Sequence, residues 1–111
     1  MPQIVYDDFA KIDIRVGVVV KAEASPKALK PAYKMWIDFG DLGVKTSSAQ
    51  ITTRYKSDDL VGRSVLAVVN LPPAQVADFV SEVLVLGAVV NVADVVLVGP
   101  DTDVAPGARI W

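Results

Sequence analysis

The stretch IDIRVGVVVKAEA, residues 12–24, restricts the fold more than any other part of the chain. Ile12, Ile14 and Val16 alternate with Asp13 and Arg15, and a period of two marks a half-buried strand. Gly17 then breaks the alternation, and Val18, Val19 and Val20 run on. Glycine inside a strand of this length predicts a bulge or sharp bend. A long, bent strand can pair with neighbours on both sides, which is what closing a small sheet into a barrel requires.

The remaining pattern fits such a barrel. SPKALKP (25–31) reads as a loop by its prolines. In YKMWIDFG (33–40), Tyr33, Met35, Ile37 and Phe39 share one face and Lys34, Trp36 and Asp38 the other. A tight turn at Asp41 to Gly43 leads into a third strand, VKTSSAQI. Residues 53–62 read as a short helix or connector, with Ser57 as its N-cap ahead of Asp58 and Asp59 and Gly62 at its end. RSVLAVVNL (63–71) is a buried fourth strand, SEVLVLGAV (81–89) a fifth and DVVLV (94–98) a sixth. Three strands, a connector and two strands make an all-β protein, an OB-fold five-stranded Greek-key barrel. It carries a short N-terminal helical segment over Val5 to Lys11 and a C-terminal strand extension, all in one domain spanning 1–111. An SH3-like barrel is the alternative.

At 111 residues the core is thin, yet 52 % of the chain is hydrophobic and the mean hydropathy is +0.41. A valine-heavy core accounts for part of this, and a second subunit covering apolar surface would account for the rest. The net charge of −2 and pI near 4.9 argue against a dedicated nucleic-acid binder. The charges are segregated, however. Ser25 to Ser57 holds six basic residues and two acids, whereas Ser64 to Ala108 holds five acids and no base. One part of the surface is expected to be positive and another negative.

The chain has no cysteine and no histidine, which removes disulfides, Cys/His zinc sites, thiol nucleophiles and histidine-based triads. Asp58 and Asp59 are adjacent and diverge, and Asp101 and Asp103 lie among turn residues. No carboxylate pair suggests acid–base or metal chemistry. The expectation is a binding protein rather than an enzyme, with no cofactor and no metal. The most apolar stretch, Val83 to Val98, is short and interrupted by Asn91 and Asp94, so no membrane insertion is expected and a cytoplasmic location is.

An OB-fold presents its second and third strands, with the loops after the first and fourth, to its ligand. Trp36 then points outward, where its indole can stack on a base or clamp an apolar side chain, unless the N-terminal segment or a partner covers it. On the third strand Lys45, Ser47 and Ala49 share one face and Thr46, Ser48 and Gln50 the other. Their hydroxyls and amide suit a peptide backbone or a nucleotide edge equally. Lys27, Lys30 and Lys34 cluster near the tryptophan, a footprint of phosphate binding or of an ordinary charged loop. Phe79 either joins this face or plugs the barrel end.

FAKIDIRVGVVVKAE, KTSSAQITTRY, LVGRSVLAVVNLPP and SEVLVLG resemble the tRNA-binding-domain family of OB-folds. KPAYKMWIDFG, SSAQIT and SEVLVLG are closer to its CsaA subgroup, and the resemblance runs through nearly the whole chain. It implies a homodimer that binds unfolded or precursor polypeptides in the cytosol and helps their export. The tRNA-binding branch carries a basic, methionine-containing run after the prolines, ending in Ser-x-Gly-Met. Here Gln75, Ala77 and Val80 stand where it is basic, Val83 and Leu84 replace Gly-Met, and Ser81 matches. The CsaA subgroup itself has basic residues where this chain has Ala74, Gln75 and Val80.

Each missing base removes about one phosphate contact. What is left, Val76, Phe79 and Val80 beside Pro72 and Pro73, is an apolar rim suited to peptide. Three readings follow in order: a dimeric peptide-binding chaperone, a tRNA-binding module using Lys27, Lys30, Lys34 and Lys45, and a docking domain that binds neither. tRNA would be at most a weak partner under the first. The dimer interface is expected at Tyr6 and Phe9 and at Arg109, Ile110 and Trp111, because an indole at that place needs cover.

Overall fold

A computed structural model describes residues 1–25, 31–92 and 94–111. After a short helix, α1 (Tyr6–Ala10), the chain forms β1 (Ile14–Ala24), β2 (Tyr33–Asp38), a 3-10 turn (Gly40–Leu42) and β3 (Val44–Ala49). Helix α2 (Ser57–Leu60) and β4 (Ser64–Val68) follow. The remaining strands are β5 (Ala74–Val76), β6 (Phe79–Ser81), β7 (Leu84–Val85), β8 (Gly87–Asn91), β9 (Asp94–Leu97) and β10 (Arg109–Ile110).

The main sheet runs β3-β2-β1-β4-β7, all antiparallel, and β10 adds to β1. As its length predicts, β1 pairs on both sides. Ile14 to Val18 pair with β4, and Val18 to Ala24 pair with β2. The free edge of β3 meets the chain just before β7, where the Glu82 and Val83 amides donate to the Thr46 carbonyl at 2.8 and 3.1 Å. That join leaves the barrel nearly closed, and the five strands β1, β2, β3, β4 and β7 are those of an OB-fold.

The bend in β1 differs from the sequence reading. The register against β2 shifts between Val19 and Lys21, not at Gly17. Gly17 serves a different purpose: a Cβ there would lie 2.5 Å from Ile37 Cγ2 and 2.6 Å from Phe39 Cε1. The glycine lets β1 lie against the largest side chains of the core. Val20 turns to solvent at the irregularity, and Val16 and Val19 stay buried.

Met35 and Ile37 on the inner face of β2, and Phe39 just after it, are fully buried and meet Val65 and Ala67 of β4 and Val83. Burying side chains of this size stabilises the fold by about 1.5–3 kcal/mol each. Leu60 of α2 reaches the same core. Ser57 is the first residue of α2 rather than its cap; Lys56 stands at the cap position and makes no side-chain cap bond. The turn after α2 is tied to β1 by reciprocal bonds, Gly62 N–H to the Val19 carbonyl at 2.7 Å and Val19 N–H to the Arg63 carbonyl at 3.0 Å.

The predicted fifth strand, 81–89, is broken into three uses. Ser81 ends β6, Leu84 and Val85 pair with β4, and Gly87 to Asn91 leave the barrel to pair with β9. The β8–β9 ribbon is held to the barrel by Tyr55, whose hydroxyl accepts the Leu97 N–H at 3.0 Å, and by a paired Arg54–Asp94 contact at 2.9 and 2.7 Å. The stretch read as a proline loop is itself a hairpin, β5–β6, with Ala77 at its tip in the left-handed region at φ 55°.

Candidate polypeptide and nucleic-acid interface

The register defines which side chains share the outer face. Trp36 lies opposite Lys21 of β1 and Thr46 of β3, and Lys34 lies opposite Glu23 and Ser48. Trp36 is thus on the outer face, as its alternation with Met35 and Ile37 predicts. It is half-buried, and its cover comes from Phe79 and Lys21. The Phe79 ring stands edge-on at 5.5 Å between centroids, and the Lys21 ammonium sits 4.6 Å from the indole centroid. Phe79 therefore belongs to this face and is not part of the core cluster.

The hairpin is anchored on β3. Thr46 Oγ1 lies 2.7 Å from the Val80 carbonyl oxygen and 2.9 Å from Glu82 Oε1, and the Thr46 N–H donates to Glu82 Oε1 at 3.1 Å. The Ser48 N–H donates to Ser81 Oγ at 3.1 Å, and the Ser81 hydroxyl donates to the Val83 carbonyl at 3.2 Å. A sheet edge that would otherwise present open amides is satisfied by side chains of β6 and the residues after it. Thr46 and Ser81 thus hold the hairpin in place. The sequence could not show this, because the partners lie more than thirty positions apart.

The other predicted residues divide. Gln50 is exposed and Ser48 half-buried. Ser47 is only 1 % exposed, opposite Met35, so it faces inward and not toward the Trp36 side of the sheet. Lys45 pairs with Ile37 on the same inner row, away from Trp36. The alternation was read correctly in both cases, but the register against β2 decides which row is inside. Lys27 and Lys30 lie outside the described residues. Lys34 is on the face, with its ammonium 3.6 Å from Asp78 Oδ1 and 5.4 Å from the Phe79 ring centroid.

A second aromatic group lies apart from this face. Trp111 meets Tyr6 edge-on at 5.6 Å and Phe9 at 6.3 Å, and Arg109 stacks over the indole at 4.2 Å. Tyr6 is 60 % and Trp111 65 % exposed, with Ile4 and Val5 open beside them. The residues proposed for an interface are therefore brought together, with Ile110 half-buried in β10 against Ile14. No group of three or more His, Cys, Asp or Glu residues suited to a metal occurs among the described residues. Nor is any helix there long and apolar enough to cross a membrane.

A family model described as a putative tRNA binding domain matches residues 14–109. The fold superimposes on the crystal structure of chaperone CsaA from Bacillus anthracis str. Ames with a TM-score of 0.96 and 48 % identity, over 99 % of this chain and 100 % of that one. The CsaA chaperone protein from Picrophilus torridus gives a TM-score of 0.90 and 51 % identity, over 98 % and 100 %. Methionine–tRNA ligase from Methanosarcina acetivorans is 37 % identical over 110 residues, which is 99 % of this chain but 15 % of the ligase. The chain spans about that share, 15 %, of the curated relatives it matches.

Proposed function

The chain belongs to the tRNA-binding domain family, in the branch that includes the CsaA chaperones, and on that premise we propose that it binds unfolded or precursor polypeptides as a non-catalytic, chaperone-like module. The observation that carries this reading is the Trp36–Phe79 contact beneath a hairpin that has no lysine or arginine. Two aromatic edges and the apolar flank of the hairpin offer area to hydrophobic side chains, at little cost in side-chain entropy. A role in assisting export from the cytoplasm follows from the same resemblance.

Homodimerisation is part of the proposal. The exposed Tyr6–Phe9–Trp111 group, with Ile4 and Val5, is the surface assigned to it. A patch of this kind on a small domain is characteristic of a contact surface. The second reading, a tRNA-binding module, is favoured by the family match and by the ligase relatives. Against it stand the acidic pI and the basic positions lost from the hairpin.

Fluorescence anisotropy of a labelled unfolded peptide, at low and high salt and with bulk tRNA as competitor, separates the two. Binding that tolerates salt and resists tRNA supports the polypeptide reading. Displacement by tRNA and loss in salt would move the tRNA module to the front.

A further inference from the structure

Asp78 stands at the tip of the β5–β6 hairpin, next to the left-handed Ala77. Its carboxylate lies 3.6 Å from the Lys34 ammonium. Lys34 is a buried-stemmed cation, its side chain 19 % exposed, under a ring and beside an acid. The other cation of the described face, Lys21, covers the Trp36 indole and has Glu23 at 3.8 Å. Glu23 also lies directly opposite Lys34 across β1 and β2. Among the described residues, each lysine beside Trp36 and Phe79 thus has a carboxylate next to it.

We infer that Asp78 is a specificity-determining residue, an internal anion that holds Lys34 and turns phosphate-bearing ligands away from the Trp36–Phe79 face. A phosphodiester reaching Lys34 must displace this carboxylate or lie beside it as a like charge, and either weakens binding. An apolar peptide segment needs only the ring edges and backbone partners, and leaves the ion pair intact. The hairpin thus does more than lack bases: it supplies an acid at the tip, and the turn at Ala77 sets its position. The inference rests on the outer face being the ligand surface.

The test compares the full chain with Asp78→Asn and with the double variant Asp78→Asn/Lys34→Met. The probes are a labelled single-stranded oligouridylate and a labelled unstructured polypeptide of no net charge. Asparagine suits a hairpin tip, and Asp78→Ser is a second variant with the same charge change. Release of a partly exposed ion pair of this type corresponds to about a two- to fivefold gain in oligouridylate affinity at low salt. The salt dependence should steepen by about one phosphate contact. Polypeptide affinity should stay within about twofold, because the segment does not use the ion pair. The double variant should lose the gain, since Lys34 is the cation released.

No gain in oligouridylate affinity in either single variant overturns the inference. A gain that survives Lys34→Met also overturns it, because the effect is then one of overall charge. Failure of the unaltered chain to bind polypeptide overturns the proposed function alone, and the oligouridylate comparison still decides the role of Asp78.

Discussion

Replacing Gly17 with alanine puts one methyl group into the tightest part of the barrel. The new Cβ would lie 2.5 Å from Ile37 Cγ2 and 2.6 and 2.9 Å from Phe39 Cε1 and Cδ1. All three atoms belong to side chains with no measurable exposure, packed in the core cluster. Overpacking of this kind costs about 1–3 kcal/mol. Alanine offsets about 0.4–1 kcal/mol of that by restricting the unfolded chain. At the middle of both ranges the net loss is about 1.3 kcal/mol. With an unfolding entropy near 2.1 cal/mol/K per residue, a domain of this size should lose about 6 °C in Tm. Thermal unfolding followed by far-UV circular dichroism reads this directly. Gly43→Ala isolates the backbone contribution: it meets nothing within 4 Å but sits at φ +85° and ψ −172°, a conformation essentially confined to glycine, so it should cost about 1–3 kcal/mol with no clash in the core. A Gly17→Ala protein that melts with the unaltered chain would refute the close approach of β1 to Ile37 and Phe39.

Trp36→Ala and Phe79→Ala should each weaken polypeptide binding about tenfold. A double-mutant cycle between them should show about 0.5–1.5 kcal/mol of coupling, measured by anisotropy. Ala77→Gly should relieve the left-handed tip by about 1 kcal/mol, seen as slower amide exchange in β5–β6 with little change in global Tm. The Arg54 guanidinium hydrogen-bonds Asp94 and holds its carboxyl below the ordinary carboxylate range. The pair therefore contributes stability above the unfolded-state pKa of Asp94, and that contribution is lost as pH falls through the folded-state value. The difference in denaturant midpoint between the unaltered chain and Asp94→Asn should shrink in acid and in high salt, because the Arg54 side chain is exposed and Asp94 partly so. Sedimentation at micromolar concentration should show a dimer, shifted toward monomer by Trp111→Ala.

The barrel was legible because its signal is local. The alternation of Ile14 and Val16, and of Met35, Ile37 and Phe39, names the inner faces without reference to any partner strand. What was hidden depends on register. Ser47 and Lys45 alternate with Thr46 as cleanly as any pair, but only their pairing with Met35 and Ile37 puts them on the inner row, where Ser47 alone of the two is buried. The β5–β6 hairpin was missed because its turn, Ala77-Asp78, lacks the glycine or asparagine that advertises a two-residue hairpin. The apolar run from Val83 to Val98 looked like two continuous strands. Its division among barrel and ribbon follows from long-range partners, β4 and β9, that no local pattern reveals. The face itself was half visible. Trp36 was found by alternation, whereas its contact with Phe79 and the Lys34–Asp78 pair join residues far apart in the chain.

The most direct test uses the two tryptophans of the chain. A Trp111→Phe variant leaves Trp36 as the single indole, at the centre of the proposed face. Its emission should change saturably on titration with an unfolded, uncharged polypeptide, equally at low and high salt. An indole that is silent to the polypeptide but responds to tRNA, with the response lost in salt, would contradict the account.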